Sequence, residues 1–342
     1  MQERPKFAFL FEGQGQQYPG MYSDLYADSI HARDIFDRAD VLARNAGLPF
    51  AISESCFDTD SARNILTGEN YNPVALQLSL LTGQTATVSY LHANGVPLAE
   101  MNGGHSLGQM AASVESGFMK FDTAFNITIE RARLMEVVGQ KKEAMVCVFS
   151  DVRKQLGNEA ENLRGIVSGA LTLIGEKVER TKITVQNHSR QLVATGPLEE
   201  LDEIKKHLGE TYQGIKMRYM PNIPVSHHPI FMKDAQIEFS KFVETIKHEF
   251  AEHAHVPQLA DVKDEVMRQI SNFTGLLDTH LISEVFWTAT QARLALSGIP
   301  RAVQIGPGNI FVNMMNVDHP DVEVLTTHNL PAMQNVVNRI VR

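Results

Sequence analysis

Residues Gly103–Gly117 read GGHSLGQMAASVESG. Inside this stretch lies Gly104-His105-Ser106-Leu107-Gly108, a G-x-S-x-G pattern that runs into small residues and stops at Gly117. In a nucleophile elbow the serine sits on a tight strand-to-helix turn, and flanking glycines let the backbone fold without a Cβ clash. Such a turn exposes the Ser106 hydroxyl and leaves the Leu107 amide at a helix N-terminus, facing developing negative charge. Three fixed positions recur by chance in roughly one chain in ten of this length, so context must decide. Downstream, QMAASVESG reads as a small-residue helix; upstream, LAEMNG is polar and short for a central strand. An ordinary strand–helix turn is the competing reading of these residues alone.

Outward from this turn, strands and helices alternate along the chain, which implies an α/β architecture with a central, mostly parallel sheet. FAFLF (Phe7–Phe11) reads as a buried strand that enters a loop carrying Gly13, Gly15 and Gly20. Glycines there imply a backbone that must come close to something. Helices are expected over Ala32–Gly47, over Asn72–Gly95 with Pro73 in its first turn, and from about Asp122 to Val138. From Glu143 to Met220 the texture changes. AMVCVFS reads as a strand, VRKQLGNEAENL as a helix, KITVQN and RQLVATG as a strand pair, LEELDEIKKHLGE as a helix and IKMRYM as a strand. That order is the ferredoxin-like split pattern. Residues 143–220 are therefore expected to form a small α+β domain inserted into a large one built from residues 1–142 and 221–342. Helices over Phe231–Ala254 and Ser283–Ser297, then a strand RAVQI turning at Gly306-Pro307-Gly308, complete the expected order.

Composition narrows the function classes. Of 342 residues, 43% are hydrophobic and 21% charged, as in an ordinary globular protein. A net charge of −9 offers no basic stripe for phosphates and argues against nucleic acid. Cys56 and Cys147 stand far apart with no metal-ligand spacing around them, so a reducing compartment and no metal site are expected. The opening MQERPK is no secretory leader, and no apolar run is long enough to span a membrane, so a cytoplasmic protein is expected.

A serine nucleophile needs a base, and thirteen histidines make mere presence uninformative. The best-placed are His227 and His228 in NIPVSHHPIFM, where the chain leaves the small domain for a helix. A loop histidine suits general-base work at neutral pH. Capping the helix that starts at Pro229 is the competing role, and spacing does not choose between them.

The ensemble of motifs resembles the malonyl-CoA:acyl-carrier-protein transacylase family. FLFEGQGQQYPGM is similar to the family opening F-x-F-P-G-Q-G-S-Q, GHSLGQ to its G-H-S-L-G-E and RARLM to its R-G-x-x-M. PVSHHPIFM is similar to its histidine segment and QIGPGNIF to its late G-P-G. The five follow the family's order across most of the chain. The resemblance implies an α/β-hydrolase-like large domain with the inserted ferredoxin-like one. It implies Ser106 as the acyl-accepting nucleophile and His228 as its base. The backbone amides of Gln14 and Leu107 then form the oxyanion hole, and Arg131 grips the free carboxylate of a malonyl group. A guanidinium offers paired donors that match a carboxylate. Phe286 falls where the family orients the histidine through a main-chain carbonyl, and Arg133 is expected to be solvated surface.

The implied reaction moves malonyl from malonyl-CoA to the phosphopantetheine thiol of an acyl carrier protein through a malonyl-serine, without a cofactor. Lys141, Lys142, Lys216 and Arg218 are candidate contacts for an acidic carrier. An acyl hydrolase of the same fold, and a weakly active docking subunit of a synthase, are the alternatives. The departures are specific. Glu12 and Gln16 stand where the family has proline and serine, Gln109 replaces a glutamate, Asn72 replaces a glutamine, Phe286 replaces a glutamine or asparagine, and VPQLADV lacks a usual asparagine.

Overall fold

The computed structural model describes residues 5–60, 64–67, 70–139, 143–150, 163–212, 214–220 and 232–341. From β1 (Ala8–Phe11) the chain passes through helices α1 (Ser23–Asp28), α2 (Ile30–Asn45), α3 (Ile52–Phe57) and α4 (Pro73–Ala93). It returns in β2 (Met101–Gly104), then forms α5 (Gly108–Ser116) and α6 (Phe121–Gly139). Next come β3 (Glu143–Ser150), α7 (Leu163–Ile174), β4 (Lys182–His188), β5 (Gln191–Pro197), α8 (Leu198–Thr211) and β6 (Ile215–Tyr219). Then α9 (Lys233–Ile246) leads to β7 (His253–Leu259), β8 (Val266–Gln269), α10 (Ile270–Leu277) and the two-residue β9 (Val285–Phe286). The chain closes with α11 (Trp287–Leu296), β10 (Arg301–Ile305), α12 (Ile310–Asp318), β11 (Glu323–Thr326) and α13 (Leu330–Val341).

The elements form two sheets. The larger has the order β11-β10-β1-β2-β7-β8, parallel except for the β7–β8 pair. Its central strands β1 and β2 are wholly buried, as strands covered by helices on both faces must be. The second sheet has the order β6-β3-β5-β4-β9. Its first four strands, with α7 and α8 between them, follow the ferredoxin-like arrangement. The fold is thus an α/β-hydrolase-like body with a mostly parallel sheet plus a ferredoxin-like α+β unit.

The sequence reading and the structure part company at a few elements. MNGG does form a central strand, β2, although it looks too polar. Asn102 donates its Nδ2 to Ser116 Oγ at 3.0 Å inside the core, and Gly103 lets Leu10 and Thr290 pack against the bare backbone. The helix expected to reach Ala254 ends at Ile246. A short 3-10 turn and the buried Phe250 follow, and the chain is extended from His253. Likewise α11 starts at Trp287 rather than Ser283, because Val285 and Phe286 pair in parallel with Val185 and Gln186 at the edge of the second sheet. The helix expected over 152–163 lies outside the described residues except Leu163, which begins α7 instead.

Two features of α4 and α6 bring side chains to the site. Asn72 caps α4 by accepting from the Ala75 amide at 2.9 Å, and Pro73 occupies its first turn. The helix is buried almost all round, so Gln77 has no route to solvent and must find a partner inside. Helix α6 turns Arg131 inward while Arg133 faces solvent.

Candidate active site

Strands β1 and β2 run parallel with Phe11 opposite Gly104, so their following loops emerge together at the carboxyl edge of the sheet. The His105 amide donates to the Phe11 carbonyl at 2.9 Å, extending the ladder one step past the strand end. Ser106 then adopts φ 51°, a left-handed conformation costly for any residue but glycine. Helix α5 begins at once, with Gln109 N donating to Ser106 O at 3.0 Å. A Cβ on Gly108 would lie 2.2 Å from the Phe11 carbonyl oxygen, and one on Gly104 would lie 2.2 Å from the Gln109 nitrogen. Both positions therefore require glycine, and Ser106 is presented on a strained strand–helix turn.

Arg131 is fully buried and reaches this turn from α6. Its Nη2 donates to Ser106 Oγ at 3.2 Å and its Nη1 to Gln77 Oε1 at 2.5 Å, while Nε has no partner among the described residues. Burial pulls the guanidinium down to about 10, opposed by Asp261 and Tyr71, so it remains charged near neutrality. Tyr71 is itself pushed up to about 12 by burial, and its hydroxyl accepts from Gln14 Nε2 at 3.4 Å.

Asp261 closes the turn from behind. It lies two residues past the end of β7, is buried, and its Oδ2 accepts from the Ser106 amide at 2.5 Å. Burial pushes its carboxyl up to about 7, against the pull of the Ser106 amide and Arg131. Gln109 commits its Nε2 to the carbonyls of Gly104 and Leu259, leaving Asp261 Oδ1 without a hydrogen bond among the described residues.

The loop after β1 lies against the elbow. A Cβ on Gly13 would come 2.8 Å from the His105 carbonyl, so the bare backbone is what lets Gln14 sit beside the serine turn. Glu12 anchors the loop. Its buried carboxylate accepts from Gln304 Nε2 and from the Gly308 amide, and burial raises it to about 7. Leu107, fully buried, is the N-cap residue of α5. His105, half-buried beside Trp287 and Phe311, bonds through Nε2 to Asn187 Oδ1 at 3.0 Å.

The residues expected from the sequence thus divide. Ser106, Arg131, Leu107 and Gln14 come together at one edge of the large sheet. His227, His228, Lys141 and Lys142 lie outside the described residues. Phe286 sits in β9, its amide donating to the Asp261 carbonyl at 2.6 Å and its ring 5.2 Å from the Arg164 guanidinium. Lys216 and Arg218 are exposed on β6. Three neighbours escaped the sequence reading: Gln77, Tyr71 and Asp261. Only Asp261 carried a usable signal, as an acidic residue at the carboxyl end of a parallel strand, where α/β folds build their sites. Among the described residues no cluster of histidine, cysteine and carboxylate side chains could hold a metal ion. No helix among them is long and apolar enough to cross a membrane.

The fold and the sequence have known counterparts. The chain is 28% identical over 311 residues to the malonyl CoA-acyl carrier protein transacylase of Bacillus subtilis (strain 168), covering 91% of this chain and 89% of that one. It is 27% identical over 334 residues to the protein of the same name from Staphylococcus aureus (strain MRSA252), covering 95% and 96%. The solved structure of the Coxiella burnetii malonyl CoA-acyl carrier protein transacylase superposes with a TM-score of 0.83 over 99% of each chain, at 21% identity. Residues 8–269 match the acyl transferase domain family, a span that holds the elbow, Arg131 and Asp261. That match covers well over half of the sequence, and the chain belongs to this family: it is an acyltransferase.

Proposed function

We propose that the chain transfers a malonyl group from malonyl-CoA to the phosphopantetheine thiol of an acyl carrier protein. One observation carries this reading: a buried, charged guanidinium, Arg131, donates to the hydroxyl of the elbow serine. A malonyl thioester has one methylene between its reacting carbonyl and its carboxylate. A cation one hydrogen bond from the nucleophile suits that spacing, and an uncharged acyl chain would leave it unpaired in a closed pocket.

In this reading His228 takes the Ser106 proton and the oxygen attacks the thioester carbonyl. The amides of Gln14 and Leu107 stabilise the oxyanion, usually the largest catalytic contribution. CoA leaves with the proton, and the carrier thiol then attacks the malonyl-Ser106 ester by the same route in reverse, giving ping-pong kinetics. Water must be kept from the ester, or transfer becomes hydrolysis. Phe286 offers its carbonyl to orient His228. Lys216 and Arg218 offer positive charge to an acidic carrier. Residues 143–220 make up the small inserted domain, and 1–142 with 221–342 the large one. No cofactor is called for, since CoA and pantetheine arrive as substrates.

Intact-mass measurement tests this. A malonyl adduct should form with malonyl-CoA, vanish in Ser106→Ala, weaken in Arg131→Ala, and move to an added holo carrier protein. An adduct formed equally from acetyl-CoA and lost to water identifies a hydrolase instead.

A further inference from the structure

A buried cation and a buried carboxyl both lie against Ser106, one at its hydroxyl and the other at its amide. Arg131 holds the hydroxyl, and Asp261 holds the amide. Both are fully buried. An isolated charge in such a place is unstable, so Arg131 needs a compensating anion whether or not substrate is bound. Among the described residues, Asp261 is the carboxyl whose field acts on Arg131. Gln77 supplies only a neutral acceptor.

Resting on the malonyl reading above, we propose that Asp261 is the resident counter-charge of Arg131, and that it yields this role to the incoming acyl carboxylate by taking up a proton. Two carboxylates sharing one guanidinium in a dry site repel, and the cheaper state neutralises one of them. Malonyl is bound as the anion because its carboxylate can accept paired hydrogen bonds from Arg131. Asp261 can be neutralised without losing its structural bond. The proton comes from solvent and goes to Oδ1, which has no hydrogen-bond partner among the described residues, while Oδ2 goes on accepting from the Ser106 amide. The carboxyl already stands near 7 before substrate arrives, so little further push is needed.

The surroundings leave Arg131 as the decisive neighbour. From the elbow, His105 is turned to Asn187, and burial keeps it low. In the loop after Asp261, Lys263 pairs with Glu265, and Asp264 pairs with Arg293 of α11. Phe286 of β9 presents only its amide, and Gln109 of α5 is neutral. Asp261 is therefore a positioning residue that acts through Arg131 and sets the charge the acyl group meets.

The test is calorimetry of the full chain carrying Ser106→Ala, which binds without turning over, in two buffers of different ionisation enthalpy. Malonyl-CoA should take up more protons than acetyl-CoA at about pH 8, and the excess should fade below about pH 6, where Asp261 is already neutral. The acetyl reference cancels protons exchanged by CoA and by His228. Adding Asp261→Asn should abolish the excess and tighten malonyl-CoA about tenfold at pH 8, with little change at pH 6, because asparagine is permanently neutral. Acetyl-CoA affinity should move little. Malonyl binding with an unchanged excess in Asp261→Asn overturns the proposal alone. Failure to bind malonyl-CoA any better than acetyl-CoA overturns the malonyl reading as well. If Asp261→Asn does not fold, the pH course of the excess in the Ser106→Ala chain decides: a flat zero sinks the idea.

Discussion

Glu12 Oε2 accepts from the Gly308 amide at 3.0 Å, joining the loop after β1 to the turn after β10. The backbone of Glu12 is held as well, its amide on the Ile305 carbonyl at 3.1 Å and its carbonyl on Gln84 Nε2 at 2.7 Å. A proline at this point would fix the loop by its ring; here a carboxylate fixes it by hydrogen bonds. Gly306 has φ 154°, and a Cβ there would collide with the Glu12 carboxylate at 2.2 Å. Glu12→Ala should release the loop that carries Gln14. The expected result is a drop in kcat of about tenfold or more with KM for malonyl-CoA little changed, as for a lost transition-state contact.

The same carboxyl makes stability depend on pH. Its folded value, about 7, lies above its ordinary 4.5 because of burial, so the folded state holds the proton more tightly than the unfolded one. Stability should therefore be greatest below about pH 4.5, fall as pH rises toward 7, and level off above it, by an amount on the order of 3 kcal/mol. Asp261 acts in the same direction. Urea unfolding at acid and alkaline pH checks this, and Glu12→Gln should flatten the slope by roughly half.

Gln77 bears on selectivity. Replacing it by leucine keeps the volume and removes the acceptor from Arg131 Nη1 inside the core. A guanidinium with one donor unsatisfied should be less well aimed, costing about 1–3 kcal/mol. Loading from malonyl-CoA should fall about tenfold or more in kcat/KM while loading from acetyl-CoA holds steady. Equal losses for both would show that Gln77 merely supports the helix.

Gly108→Ala should be among the most damaging single changes. The added methyl meets the Phe11 and Glu12 carbonyl oxygens, main-chain atoms that cannot swing aside. A loss of about 3 kcal/mol or more is expected, with no acyl adduct in what remains folded. Gly169→Ala, where a Cβ meets nothing within 4 Å, is the matched control and should be stabilising or neutral.

Arg164 offers a milder test. It makes a two-pronged bond to Glu284 and lies over the Phe286 ring, joining α7 to β9. The side chain is about one-third exposed, so the pair contributes only modestly to stability. Arg164→Met should lower Tm by a degree or two, yet lower kcat more than that suggests if Phe286 steers the general base.

The sequence carried the fold because its glycines and apolar runs obey local rules. FAFLF is buried on both faces, and G-x-S-x-G forces one kind of turn. It misled where stability comes from distant partners. MNGG has no strand propensity; its strand status rests on Ser116 and on neighbours that fill the space above Gly103. Val285 and Phe286 extend only because β4 lies alongside. For the site, Ser106 was legible in its G-x-S-x-G turn, and Arg131 only through the resemblance of RARLM to the family motif. Gln77 and Tyr71 were not, since what matters about them is burial beside a charge, and helix or strand patterning encodes no such proximity; Asp261 showed only its place near a strand end.

The pairing of β9 with β4 has an engineering consequence. The smaller sheet is a composite, four strands from one continuous stretch ending at Tyr219 and a fifth returning only at Val285. A chimera that swaps residues 143–220 for those of a relative would leave the native Val285–Phe286 to dock on a foreign edge, with Glu284 deprived of Arg164. Grafts meant to change acyl or carrier preference should move 284–286 together with that stretch, as one inherited unit.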